Sequence, residues 1–113
     1  MADKNIIDFQ ETDEEQDQDN VVEFSKPYLF EGEEITKLDL SGLEEITVED
    51  MIHASDMLAR SGRVVSVPET DIQYTLYIAH AATKKPYEFF LKLRPKDAAR
   101  IRSRVTRFFF RGE

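Results

Sequence analysis

The stretch Ser41-Gly-Leu-Glu-Glu-Ile-Thr47-Val-Glu-Asp50-Met-Ile-His-Ala-Ser55-Asp-Met-Leu-Ala-Arg60-Ser-Gly62 decides how the remaining residues are arranged. It opens on a turn at Ser41-Gly42 and offers Thr47 as a helix N-cap. Glu49 and Asp50 fall in the first turn, where unpaired N–H groups and the positive end of the helix dipole favour negative charge. Val48, Met51, Ile52, Ser55, Leu58 and Ala59 recur at three- and four-residue steps, so they are expected to form one inward stripe. Glu49, Asp50, His53, Asp56 and Arg60 point the other way. Gly62 follows as a residue able to take the left-handed conformation that ends helices. The spacing predicts a helix over 47–61, with a hairpin before it and helices after it.

Upstream, residues 21–40 read as two strands. Val21-Val-Glu-Phe24 leads into Lys26-Pro-Tyr-Leu-Phe30, and the loop Glu31-Gly-Glu-Glu34 is followed by Ile35-Thr-Lys-Leu-Asp-Leu40. Gly32 between β-rich runs marks a hairpin. Leu38 and Leu40 share a face and Lys37 and Asp39 take the other. Pro27 makes the first strand an edge, or marks its beginning. A lone hairpin is marginal in water, so this one must rest on the helices.

Downstream, Pro68 suits a first helical turn. The run Ile72–Ala82 is apolar nearly all round, which identifies the most buried helix, expected over 69–83. Pro86 opens a short helix over 86–93 and Pro95 opens the last, over 95–110. In that last helix Ala98, Ile101, Val105 and Phe108 mark an inner face, while Arg100, Arg104, Arg107 and Arg111 line another.

Charge is unevenly spread along the 113 residues. Residues 1–25 carry nine acids against Lys4, whereas residues 94–113 carry seven bases against Asp97 and Glu113. The overall charge of −8 hides an acidic head and a basic end. Residues 1–20 hold too little apolar surface to offset ordering entropy and are expected to be a disordered acidic tail. Ile6-Ile-Asp-Phe9 is the one patch there able to dock on a partner. The chain has no cysteine and hence no disulfide framework or thiolate chemistry. No early apolar run resembles a signal peptide, and none is long enough to span a membrane.

Little in the sequence points to catalysis. There is no nucleophile–base pair and no phosphate-cradling glycine loop, so no cofactor or catalytic residue is assigned. Asp50, His53 and Asp56 are spaced one turn apart, but three residues on a polar helix face without a second ligand set do not define a metal site. His80, within the apolar helix, reads as a hydrogen-bonded interior residue. The basic end admits two partners: nucleic acid, through arginines interleaved with Phe108, Phe109 and Phe110, or an acidic protein surface. The alternative is that the phenylalanines are core and the arginines a solvated face.

Three segments together resemble the short tail assembly chaperones of long-tailed bacteriophages and prophages. They are Lys26-Pro-Tyr-Leu-Phe-Glu-Gly32, Ile35-Thr-Lys-Leu-Asp-Leu40 and Leu43-Glu-Glu-Ile-Thr-Val-Glu-Asp-Met-Ile52. The resemblance covers residues 26–93. It implies a noncatalytic protein, made in the cytoplasm of the bacterial host, that binds the tape measure protein and assists tail tube assembly without being retained in the virion. It also implies contact with tail tube protein or with a longer, frameshifted form of the chaperone. A homo-oligomer is left open. The residues expected to meet a partner are Tyr87, Phe89, Phe90, Arg104, Arg107, Phe108, Phe109 and Phe110, because such a client exposes apolar helical stripes. A small phage nucleic-acid-binding or regulatory protein using the basic last helix is the second reading.

The expected architecture is α+β, mainly α: an N-terminal β-hairpin packed on a small bundle of four helices. Residues 1–20 form the tail and residues 21–113 one domain.

Overall fold

A computed structural model describes residues 20–111. The expectations for residues 1–19 lie outside the described residues. The architecture is the expected one, an antiparallel hairpin followed by four helices: β1 (Val21–Phe30), β2 (Glu33–Asp39), α1 (Val48–Arg60), α2 (Ile72–Thr83), α3 (Tyr87–Leu91) and α4 (Pro95–Arg111). Two short 3-10 turns, Ser41–Glu45 and Pro68–Thr70, precede α1 and α2.

The hairpin turns on only two residues, Glu31 at φ 53° and Gly32 at φ 81°. Positive φ at both central positions gives a turn whose twist matches the flanking strands. Val22 faces Leu38 and Tyr28 faces Ile35, but between those pairs Phe24–Pro27 of β1 oppose only Thr36 of β2. This bulge resolves two features of the sequence. It places Pro27 where no ladder N–H is needed. It also switches faces, so that Ile35 and Leu38, three residues apart, both point inward.

Thr47 caps α1 as expected. Asp50 N–H donates to Thr47 Oγ1 at 3.4 Å while Thr47 N–H donates to Asp50 Oδ2 at 3.0 Å, a reciprocal capping box. Gly62, at φ 83°, follows the helix end. The inward face of α1, however, differs from the expected stripe. Ala54 and Leu58 are buried and Met51 is half-buried, whereas Val48 is 69% and Ile52 59% exposed, with Ser55 and Ala59 also outside. The helix is rotated so that the small Ala54 and Leu58 face inward. A pattern built on large apolar side chains passes over an alanine.

The second helix starts later than expected. Pro68–Thr70 forms its own 3-10 turn, and Asp71 stays extended as the N-cap of α2, accepting from Tyr74 N–H at 3.0 Å. Asp71 also binds the Arg63 guanidinium through both oxygens, and Arg63 reaches Gln73 Oε1 at 3.0 Å. As expected, α2 is the most buried helix, with Tyr74, Thr75, Leu76, Ile78 and Ala79 all inside. The 3-10 turn Ser41–Glu45 lies against its far end. A Cβ on Gly42 would stand 2.1 Å from the Ala82 carbonyl oxygen, so only glycine permits this approach. α3 spans only Tyr87–Leu91 of the expected 86–93, closed by Lys92, whose N–H donates to the Phe89 carbonyl at 3.1 Å. In α4 the expected face is inside: Ala98, Ile101 and Val105 are buried and Phe108 is half-buried.

One polar cluster ties the two ends of the fold together. Asp97, in the first turn of α4, is wholly buried yet fully partnered. Ser25 N–H donates to its Oδ1 at 2.9 Å, Ser25 Oγ to its Oδ2 at 2.9 Å, and Tyr28 Oη to its Oδ2 at 2.6 Å. The Tyr28 hydroxyl in turn accepts from Arg94 N–H at 2.8 Å. Ser25 is free to do this because the bulge takes it out of the ladder. Burial pushes the Asp97 carboxyl up, but the hydrogen bonds from Tyr28 and Ser25 outweigh it and leave the pKa lowered.

Candidate functional site

The eight side chains expected to meet a partner fall into three environments. Phe89 and Phe90 are each 1% exposed and fill the core. The Phe89 ring lies 5.5 Å from Phe30, 6.0 Å from Phe24 and 5.3 Å from Phe90, centroid to centroid. Their role is therefore corrected: Phe89 holds the hairpin on α3, Phe90 packs against it in the core, and neither is available to another chain.

Tyr87 is half-buried and forms a second aromatic group on α2, 5.6 Å from Tyr77 and 6.0 Å from His80. Burial first, and then the negative charge of Asp71, pushes its phenol pKa up. The His80 ring places Nδ1 2.5 Å from the Lys85 carbonyl oxygen, fixing the left-handed turn at Lys84 that ends α2. His80 thus has a structural task, as its position in an apolar helix implied.

The third environment is the end of α4. Phe108 and Phe109 are half-buried, their rings 5.5 Å apart, with Phe109 6.1 Å from Tyr74. Phe110 is 63% exposed. Arg104 and Arg107 are half-buried and each has an interaction of its own. Beside them a groove of about 690 Å³ is lined by Thr70, Arg102, Ser103, Thr106, Arg107, Phe110 and Arg111. Its far wall is held by Thr106 Oγ1, which donates to the Glu69 carbonyl at 2.6 Å. The structure thus brings Arg107 and Phe110 to one concave surface and leaves Tyr87 on a different part of the molecule.

A smaller hollow of about 300 Å³ lies between α1 and α2, lined by Asp50, His53, Tyr77, His80, Ala81 and Lys84. Asp50 is engaged in the capping box, and Asp56 lies 3.7 Å from Arg60. Among the described residues no three His, Cys, Asp or Glu side chains are grouped as metal ligands would be.

Two features of the surface were not drawn from the sequence. The line Val48, Ile52, Ser55 and Ala59 on α1 has the spacing of an inner face, yet it lies outside. The groove beside α4 depends on Thr70, which no periodicity connects to residues 102–111. Among the described residues no helix is long and apolar enough to cross a membrane.

A family model described as phage tail assembly chaperone proteins, E, or 41 or 14, matches residues 21–109 of the 113. Neither a curated protein nor a solved structure matches the chain. The matched region takes in the hairpin, all of α1 to α3 and nearly all of α4, and by it the chain belongs to the phage tail assembly chaperone family.

Proposed function

We propose that this chain is a noncatalytic chaperone that binds the tape measure protein in the host cytoplasm, assists tail tube assembly around it and is not retained in the virion. Tail tube protein, or a longer frameshifted form of the chaperone, is the second partner in this reading. The family match carries the proposal. Residues 21–113 act as one domain in it.

The physical means is apolar surface left outside a small core. Phe110, Val48 and Ile52 are exposed, and Tyr87, Phe108 and Phe109 are half-buried. An amphipathic client helix would lay its apolar stripe on such side chains, with arginines at the rim setting orientation. A modest interface of this kind remains displaceable when the tube protein arrives.

The test is co-expression of tagged chain with the tape measure protein. Replacing Phe109→Ala together with Phe110→Ala is expected to reduce co-purification while leaving a cooperative thermal transition. Recovery of the client at wild-type yield would remove these residues from the interface. The nucleic-acid reading keeps one supporting observation, the arginines around the groove. A gel shift that weakens steeply with salt would favour it.

A further inference from the structure

We propose that the basic groove beside α4 is occupied by the chain's own acidic head, residues 1–19, so that any other ligand of this face must displace it. This goes beyond the client-binding reading and does not depend on it. Three observations carry it.

The first is charge. Residues 1–19 contain eight acids (Asp3, Asp8, Glu11, Asp13, Glu14, Glu15, Asp17 and Asp19) and a single base, Lys4. The groove presents Arg102 and Arg111 beside Phe110, with Arg107, which also has an interaction of its own, in the same lining. Opposite charges tethered on one chain meet at a high effective concentration.

The second is direction. Tyr28 touches Arg94, Ser25 touches Asp97, and the Glu23 carbonyl accepts from Arg100 at 2.8 Å. Each step back along β1 therefore moves forward along α4. The N-terminal end of the strand points toward the half of α4 that bears Arg104, Arg107 and Arg111.

The third is reach. From Arg100 to Arg111 the helix rises about 16 Å, a span that roughly five extended residues cover. Nineteen residues are ample, with enough chain to set acids against the arginines and to bring Ile6, Ile7 or Phe9 to the exposed Phe110 ring. The head's few apolar residues and its many acids match a groove that is itself mixed.

Because the chain has no cysteine, Gln10→Cys in the full-length protein gives a single attachment point for a nitroxide spin label. The expected result at low salt is loss of amide NMR signals for residues 102–111 that is independent of protein concentration. The loss should reverse at about 1 M salt, where the screening length is about 3 Å. A second labelled variant, with Glu11, Glu14 and Glu15 changed to Gln and Asp13, Asp17 and Asp19 changed to Asn, should show no such loss. Signal loss elsewhere, or none, overturns the proposal. So does loss that appears equally on isotope-enriched chains without a label when they are mixed with labelled ones, which would assign the groove to a second copy. Persistence in the neutralised variant overturns its electrostatic basis.

Discussion

Replacing Asp97→Asn tests the cluster that joins β1 to α4. The carboxylate is 0% exposed and receives three hydrogen bonds, two from Ser25 and one from Tyr28. Hydrogen bonds to a charged group are each worth about 1.5–3 kcal/mol, and they do not simply add. Asparagine keeps one acceptor oxygen but turns an NH2 group toward hydroxyls that must then reorient. Burying a neutral amide in place of an ion offsets part of the loss. The balance is a destabilisation of about 2–3 kcal/mol near neutral pH. The penalty should itself depend on pH. Asp97 has a lowered folded-state pKa, so above the ordinary carboxylate value its contribution is fully present. As pH falls below that value the unfolded chain binds the proton first, and the contribution is gone once pH has passed the folded value. Asparagine does not titrate. Urea unfolding followed by circular dichroism, for wild type and variant at about pH 7 and about pH 3, should show the gap narrowing in acid. An equal gap at both values, or one below about 0.5 kcal/mol at neutral pH, would refute the assignment of an ionised, hydrogen-bonded Asp97.

Other outcomes follow from the packing. Gly42→Ala places a methyl 2.1 Å from the Ala82 carbonyl oxygen, and separating the turn from α2 should cost about 2–3 kcal/mol, read as a lower thermal midpoint. Leu58→Ala should cost about 2–4 kcal/mol whereas Ile52→Ala should cost under about 1 kcal/mol, and equal losses would contradict the rotation of α1. Arg63→Ala leaves the buried Asp71 with only its helix-cap bonds and should cost about 1–2 kcal/mol, discounted because Arg63 is itself partly exposed. Burial raises the Asp71 pKa, but Arg63 and the Tyr74 N–H together lower it, so this loss too should shrink as acid protonates the carboxylate.

The elements were legible where a local rule had a single outcome. Thr47 and Gly62 bound a helix whichever face it turns inward, and the steps from Ala98 to Val105 had only one apolar side to offer. The hairpin was legible from Gly32, but its two-residue turn was not, because Glu31 takes positive φ without belonging to the residue types that favour it. The inner face of α1 is not legible because both Val48–Ile52 and Met51–Leu58 satisfy helical spacing, and the choice between them is made by tertiary packing. Among the partner residues, Phe108, Phe109 and Phe110 lie at the surface to different degrees, while Phe89 is covered by a strand more than fifty residues earlier in the chain. Such pairings depend on the bulge in β1, and nothing adjacent to Ser25 announces a contact with Asp97.

That contact has a consequence for the order of events during synthesis. Ser25 and Asp97 are separated by 72 positions. The opening strand therefore has to wait, without this anchor, until Asp97 has left the ribosome. Docking of β1 should accordingly be completed only once Asp97 is available, and a chain truncated before residue 97 should lose its cooperative unfolding transition.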